Sequence, residues 1–309
     1  MIYNYINMIP PRRLILSGGG VKVTSLVGAL KVLNNAGFLK SVKEVCGVSA
    51  GAFLAFMLST GYPIEKIEAL ILDLSFGVIR NMTPEAFIEF PERFGIDDGQ
   101  NLTKFLESIL RVVLKLDPGI TFEDLGKINV VGKRNLRCWA TDLDTQRSRE
   151  FSAALTPTVK VIDALRASMC LPLYFIPVKD PINGHLLSDG GIVGNLPLVY
   201  LTENECRESL SLGFIREKPM CAEGECPQDL MGFMNAVLGS LAGSKNDILL
   251  EKWKHNIIRV PVEEFPSWNF EASREDRLML LSKGMIAATK WLSSKVSGSR
   301  IILRRHSLL

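Results

Sequence analysis

Histidine is scarce in this chain of 309 residues: there are three, at positions 185, 255 and 306. His306 lies near the end. His255, in W-K-H-N-I-I-R-V, has no neighbouring acid to orient it, and His185 reads as a surface-loop residue four positions before Asp189. Chemistry that needs clustered histidines therefore has little to work with. Long apolar runs are missing as well. Nothing reaches the ~18 consecutive apolar residues of a membrane span, so any meeting with a bilayer is expected from the side. The net charge of +3 is too small to suggest a nucleic-acid partner. The six cysteines (46, 138, 170, 206, 221, 226) are scattered, and Cys221 and Cys226 lack a second Cys/His pair to complete a zinc site. Reduced thiols and no disulfide framework are expected. A calcium loop of the D-x-[DN]-x-[DN]-G type is absent, D-L-D-T at 142–145 being too short. Neither a metal nor a cofactor is expected. The opening M-I-Y-N-Y-I-N-M-I-P-P-R-R has asparagines inside its apolar stretch and its arginines late, unlike a signal peptide, so a cytoplasmic location with peripheral membrane contact is expected.

What is present is a large apolar fraction, 47%, enough for a sizeable core in one α/β domain. R-R-L-I-L-S (12–17) reads as a buried strand, followed by Gly18, Gly19 and Gly20. Leu26, Ala29, Leu30 and Leu33 then recur at helical spacing, with Gly37 as the stop. V-K-E-V-C-G-V-S (42–49) is a second strand and A-G-A-F-L-A-F-M-L-S-T-G (50–61) a helix. This strand, helix, strand, helix order opens a parallel sheet. Residues 64–116 read as mostly helical, a layer or cap. L-R-C-W-A-T-D-L-D (136–144) and N-I-I-R-V-P-V (256–262) read as strands, and V-K-V-I-D-A-L-R-A-S-M-C-L-P (159–172) as a helix stopped before Pro172. D-L-M-G-F-M-N-A-V-L-G-S-L-A-G (229–243) is an apolar helix candidate, and residues 274–295 close the domain as a helix. The fold class expected is α/β, a mostly parallel central sheet flanked by helices in three α/β/α layers.

Chemistry concentrates in three short stretches. G-V-S-A-G (47–51) sets Ser49 between Gly47 and Gly51 where a strand becomes a helix. Such a turn exposes a hydroxyl at a helix start, and the glycines remove Cβ atoms that would clash; taken alone, the motif reads equally as a glycine-rich packing turn. S-G-G-G-V-K (17–22) presents successive backbone N–H groups at another helix start, which suits an oxyanion or a phosphate. It lacks both the Walker pattern and the last glycine of the dinucleotide fingerprint, so an oxyanion hole from Gly18, Gly19 and Gly20 ranks above nucleotide binding. Lys22 suits either an anionic head group or a solvated first helical turn. D-G-G (189–191) places Asp189 at a strand end followed by Gly190 and Gly191. Taken by itself it reads first as an ordinary Asx-type turn; the competing reading is a carboxylate base raised from the usual ~3.9 by burial.

In this order and spacing the three stretches resemble the patatin-like phospholipases, which use a Ser–Asp dyad on a fold related to the α/β hydrolases. The likeness extends to G-Y-P-I-E-K-I-E-A-L, I-T-F-E-D-L, W-A-T-D-L-D-T, A-L-R-A-S-M-C-L-P-L-Y-F, D-G-G-I-V-G-N-L-P through Asn195 and Pro197, and W-N-F-E-A-S-R-E-D-R-L-M-L-L-S-K-G. It implies a domain over 12–292 between an extension at 1–11 and a basic tail at 293–309. It also implies Ser49 as nucleophile, Asp189 as base and Gly18 to Gly20 as the oxyanion loop. The implied reaction is hydrolysis of a phospholipid or other acyl lipid through an acyl-enzyme, without a metal. Transacylase or neutral-lipid lipase chemistry on the same site, and a non-catalytic lipid-binding role, are the alternatives. Two positions depart from the family pattern. Val23 stands where glycine is frequent, which either tightens packing or alters the loop's approach to substrate. Ser17 stands where aspartate is common, with little consequence expected. An apolar surface near the site is expected, with 229–243 and the 64–116 helices as candidates, although an ordinary core helix is the favoured reading of such a run; Trp253, Lys254, Trp268, Arg304 and Arg305 are interface candidates.

Overall fold

The strand, glycine turn, helix, strand, sharp turn, helix unit expected at the start is the frame that the remaining strands extend. In the computed structural model it runs β1 (Arg13–Leu16), α1 (Val23–Asn35), β2 (Glu44–Val48) and α2 (Ala50–Ser59). The structure describes residues 10–214, 250–262, 265, 267 and 269–306, with side chains described as far as 295. The apolar segment 229–243, Trp268, Cys221 and Cys226, and the side chains of Arg304 and Arg305, lie outside the described residues.

The further strands are β3 (Gly95–Asp97), β4 (Asn135–Asp142), β5 (Arg147–Ser152), β6 (Leu173–Phe175), β7 (Val178–Lys179), β8 (Leu186–Asp189), β9 (Ser209–Phe214) and β10 (Ile257–Val260). The helices are α3 (Ile64–Asp73), α4 (Pro84–Arg93), α5 (Gln100–Ser108), α6 (Phe122–Lys127), α7 (Val161–Ser168), α8 (Gly191–Gly194), α9 (Glu203–Arg207) and α10 (Arg274–His306). The main sheet has the order β10-β9-β1-β2-β4-β8-β7, with β5 folded back on β4. From β10 to β4 all pairs are parallel. β8, β7 and β5 join antiparallel. The expected mostly parallel sheet is therefore present.

Strands buried on both faces should read as unbroken apolar runs, and β1 and β2 do. β9, S-L-S-L-G-F, does not, and nothing in the sequence marked it as a strand. Its serines are buried: Ser211 is wholly inside, and its Oγ has no hydrogen-bond partner. Pairing with β1 and β10 on either side overrides the weak local preference.

The two faces of the sheet are covered unequally. Leu14, Leu16 and Val45 point into a large core with α1, α2, α7 and α10. Ile15, Cys46, Val48 and Trp139 point to the other side, where Leu196, Leu198 and Cys206 cover them. Helix α10 lies close along α1 because both carry glycine at the contact: a Cβ on Gly28 would stand 2.0 Å from Leu281 O, and one on Gly284 1.7 Å from Ser25 O. It runs unbroken past 292, where the basic tail was expected to begin. The 64–116 layer comprises α3, α4, α5, a 3-10 turn at Phe76–Ile79 and a π-helical turn at Ile109–Leu114, interrupted by β3, which pairs with β6. No helix among the described residues is long and apolar enough to cross a membrane.

A charged lattice ties the second face together at the start of the parallel strands. Arg137 on β4 holds Glu150 with two bonds (2.9 and 3.0 Å), Glu205 at 2.8 Å and Glu44 at 3.3 Å, and lies over the Trp139 ring. Arg13 on β1 holds the same Glu44 at 2.7 Å. These side chains are 16–22% exposed. Breaking a buried pair from one side costs ~3–5 kcal/mol, and an exposed pair is worth under ~1. Arg137→Met, which removes both bonds to Glu150 and leaves Glu44 and Glu205 to Arg13 alone, is thus expected to lower stability by about 2–3 kcal/mol. The check is the midpoint of urea unfolding, which should fall at an unchanged slope.

Candidate active site

Ser49 ends β2 and begins α2, and its backbone sits at φ 52°, ψ −134°. A side chain other than glycine rarely adopts a positive φ, so the turn is strained and held by what surrounds it. The flanking glycines explain how. A Cβ on Gly47 would lie 2.3 Å from Gly51 O, and one on Gly51 would lie 2.4 Å from Ser17 O. The chain therefore doubles back on itself and onto the end of β1, with no room for side chains. The Ser49 N–H donates to Ser168 Oγ at 3.0 Å, and Ser168 Oγ donates to Trp139 O at 2.6 Å. Ser49 is 6% exposed.

Asp189, 140 positions later, ends β8. Antiparallel pairing places it opposite Ala140 on β4, the strand next to β2. Its backbone is fixed on both sides: Asp189 N–H donates to Cys170 O at 2.7 Å, and Thr141 Oγ1 donates to Asp189 O at 2.8 Å. Gly190 permits the approach of the following turn, since a Cβ there would lie 2.2 Å from Trp139 O. Gly191 N–H donates to Asp189 Oδ1 at 2.7 Å. Oδ2 is buried without a regular hydrogen bond. Burial pushes the Asp189 carboxyl up to about 6, against the opposing pull of the Ser49 hydroxyl and the Gly191 N–H. Ser49 and Asp189 are thus close enough for one to act on the other's ionisation, and the oxygen facing away from Gly191 is free to take a proton.

The glycine loop leaves β1 beside Ser49. A Cβ on Gly18 would lie 2.9 Å from Ser49 Cβ, so the two backbones are in contact. The three amides differ in what they do. Gly18 N–H is used, donating to Asn195 O at 3.0 Å. The N–H groups of Gly19 and Gly20 have no acceptor among the described residues. Gly20 has φ +53°, and a Cβ there would strike Ser267 O. Of the three predicted donors, then, two are open and the first is an anchor.

Lys22 corrects its expectation. It is 1% exposed, so neither a head-group contact nor a solvated first turn describes it. The glycine loop passes into a 3-10 turn (Gly20–Lys22) before α1, and that turn carries Lys22 inward. Val23 is buried too, and lines a small apolar cavity of about 30 Å³ with Ala50, Phe53, Phe105 and Met169. The structure thus favours packing as its role. His185 is not a lone surface residue: its Nδ1 lies 2.8 Å from Asp142 Oδ2, which raises the imidazole's pKa through that hydrogen bond. With Asp144, these residues bring potential metal-binding atoms within 4.8 Å of one another. Their polar atoms are also engaged with each other and with the Asp144, Thr145 and Leu186 amides. The expected apolar surface has a counterpart in the 64–116 layer, where Val78, Phe87, Ile88 and Phe94 are more than half exposed.

Two residues at the site were not singled out from sequence, Ser168 and Asn195. Both sat inside stretches quoted for the family likeness, R-A-S-M-C-L-P and G-N-L-P. Their work is hydrogen bonding to backbone 119 and 177 positions away, which carries no local pattern.

The family model described as "Patatin-like phospholipase" matches residues 14–202. An uncharacterized protein of Acanthamoeba polyphaga mimivirus is 30% identical over 194 residues, 62% of each chain. A probable lipid hydrolase of Invertebrate iridescent virus 6 is 27% identical over 191 residues, 60% of this chain and 62% of the other. The chain thus matches about three-fifths of the length of these two relatives. Among solved structures, VipD from Legionella pneumophila superposes with a TM-score of 0.59 at 19% identity, covering 93% of this chain and 67% of that one.

Proposed function

The chain belongs to the patatin-like phospholipase family, and from that premise we propose that it is a lipid acyl hydrolase with Ser49 as nucleophile and Asp189 as its base. The observation that carries the reading is the pairing of a strained, helix-capping serine with a buried carboxylate whose Oδ2 is unoccupied. A serine hydroxyl is a poor nucleophile at neutral pH and needs a base plus donors for the charge it creates. Asp189 takes the Ser49 proton as Oγ attacks the ester carbonyl. The N–H groups of Gly19 and Gly20, together with the N-terminus of α2, receive the oxyanion. The departing alcohol takes the proton back from Asp189, and water then repeats the sequence on the acyl-enzyme. The apolar cavity behind Ala50 and Met169 supports an acyl chain as the group retained. At about 30 Å³ it holds roughly one water, so its apolar walls have to part for a chain to enter. The exposed apolar side chains of Val78, Phe87, Ile88 and Phe94 support collection of substrate from a lipid surface.

The test is release of fatty acid from lysophospholipid and phospholipid by purified protein, with head group and chain length varied. Hydrolysis at a rate that saturates with lipid is expected. No release from any lipid by folded protein would leave the binding role. Because His185 Nδ1 is bonded to Asp142 and His255 is exposed on the 3-10 turn Lys254–Asn256 before β10, His185→Ala and His255→Ala together are expected to keep kcat within about threefold. Loss of activity without unfolding would mean that a histidine serves as the base.

A further inference from the structure

We propose that Asn195 is a positioning residue which, with Ser17, sets the direction of the Gly19 amide; the inference rests on the reading of Ser49 as the nucleophile. Gly18 is gripped at both ends by one residue. Its N–H donates to Asn195 O at 3.0 Å, and its carbonyl accepts from Asn195 Nδ2 at 3.1 Å. The same carbonyl accepts from Ser17 Oγ at 2.8 Å, while Asn195 Nδ2 also reaches Ser17 Oγ at 3.4 Å. A carbonyl oxygen only accepts, so the Asn195 amide has to turn its NH2 toward it.

The consequence follows from peptide geometry. Gly18 C=O and Gly19 N–H belong to one planar, trans unit and point in opposite directions. Holding Gly18 O on the Asn195 side therefore holds Gly19 N–H on the opposite side, where it has no acceptor among the described residues. The unit is flanked by two glycines, which allow rotations that Cβ atoms would forbid. Side-chain donors supply the restraint that the local sequence lacks. A Cβ at 18 would lie 2.5 Å from Asn195 Oδ1 and 2.9 Å from Ser49 Cβ, so a larger residue there would displace the Asn195 amide or crowd Ser49. A Cβ on Gly191 would also lie 3.0 Å from Asn195 Oδ1 and 2.9 Å from Asp189 Oδ1. Asn195 thus stands between the base and the donor loop and keeps them in register. Ser17, whose exchange for the common aspartate was expected to matter little, is half of the device.

Asn195→Ala and Ser17→Ala, compared with wild type, test this. With active sites counted by a fluorophosphonate burst, kcat per site is expected to fall about 10- to 100-fold in Asn195→Ala, a loss just below that of deleting one oxyanion donor. Ser17→Ala should lose less, and KM should stay within about threefold in both. Affinity for a fatty trifluoromethyl ketone, whose adduct carries the oxyanion, should fall by the same factor as kcat/KM. Affinity for free fatty acid should not change. A purely structural role would reduce the number of active sites and leave kcat per site and ketone affinity as in wild type; that result in both variants overturns the inference. If wild type hydrolyses no ester, it is the proposed function that fails. A crystal structure of Asn195→Ala then decides the inference: a rotated Gly18–Gly19 peptide supports it, and an unmoved one overturns it.

Discussion

Ser49→Ala is expected to lower kcat/KM for lipid ester hydrolysis by about 10⁴- to 10⁶-fold, the range seen when a serine nucleophile is deleted. The covalent step has no substitute at this turn, because Ser49 carries the hydroxyl that bonds to the Asp189 carboxylate. Labelling by a fluorophosphonate should be lost together with turnover. The fold should persist, since the strained φ of 52° is imposed by Gly47, Gly51 and the Ser168 hydrogen bond to the backbone, none of which involves the hydroxyl. Removing the hydroxyl also removes one of the two contacts that hold the Asp189 pKa down, so that carboxyl should titrate above about 6 in the variant. Retained labelling in Ser49→Ala would place the nucleophile elsewhere and end the assignment of Ser49.

Asp189→Asn is expected to separate activity from stability. Activity should fall about 10³- to 10⁴-fold, because an amide cannot take the proton. Stability should rise. The Asp189 carboxyl titrates near 6 in the fold and near its ordinary 3.8 when unfolded. Between these values the native state holds the extra proton, so stability falls as pH rises from about 4 to 6 and stays lowered above it. The difference of about two pH units corresponds to roughly 3 kcal/mol at neutral pH. Asparagine keeps an oxygen for the Gly191 N–H and carries no charge, so it escapes that cost. The expected result is a higher Tm at pH 7 and little difference at pH 4. In wild type the same ionisation is expected to govern catalysis. The base works when deprotonated, so kcat/KM should drop about tenfold per pH unit below about 6 and level off above it. An Asp189→Asn protein that keeps wild-type activity, or a rate profile flat from pH 4 to 8, would remove Asp189 from the mechanism.

Much of this was legible along the chain because it is local. β1, β2 and the helices after them announce themselves by apolar period and by glycine stops. The serine between Gly47 and Gly51, the glycine triplet and D-G-G each stand within a few residues. Other features were hidden because their cause is distant. β9 has serines where a strand signal wants apolar residues, and it is a strand because β1 and β10 flank it. Lys22 looked solvent-facing because sequence does not show that a 3-10 turn precedes α1. Ser168 and Asn195 were quoted only as parts of a likeness, and their roles are hydrogen bonds to backbone far away.

The amino-acid sequence alone determined which groups are available: one serine on a turn only glycine neighbours allow, one carboxylate on a glycine turn, and a loop rich in bare amides. The tertiary structure decided which of them meet and in what state. Antiparallel pairing of β8 on β4 brings Asp189 toward Ser49 and buries it enough to raise its pKa to about 6. The grip of Asn195 on Gly18 leaves two of three amides open instead of all three. Local dihedral preference is written residue by residue, whereas burial and direction are properties of neighbours that only the packed chain supplies.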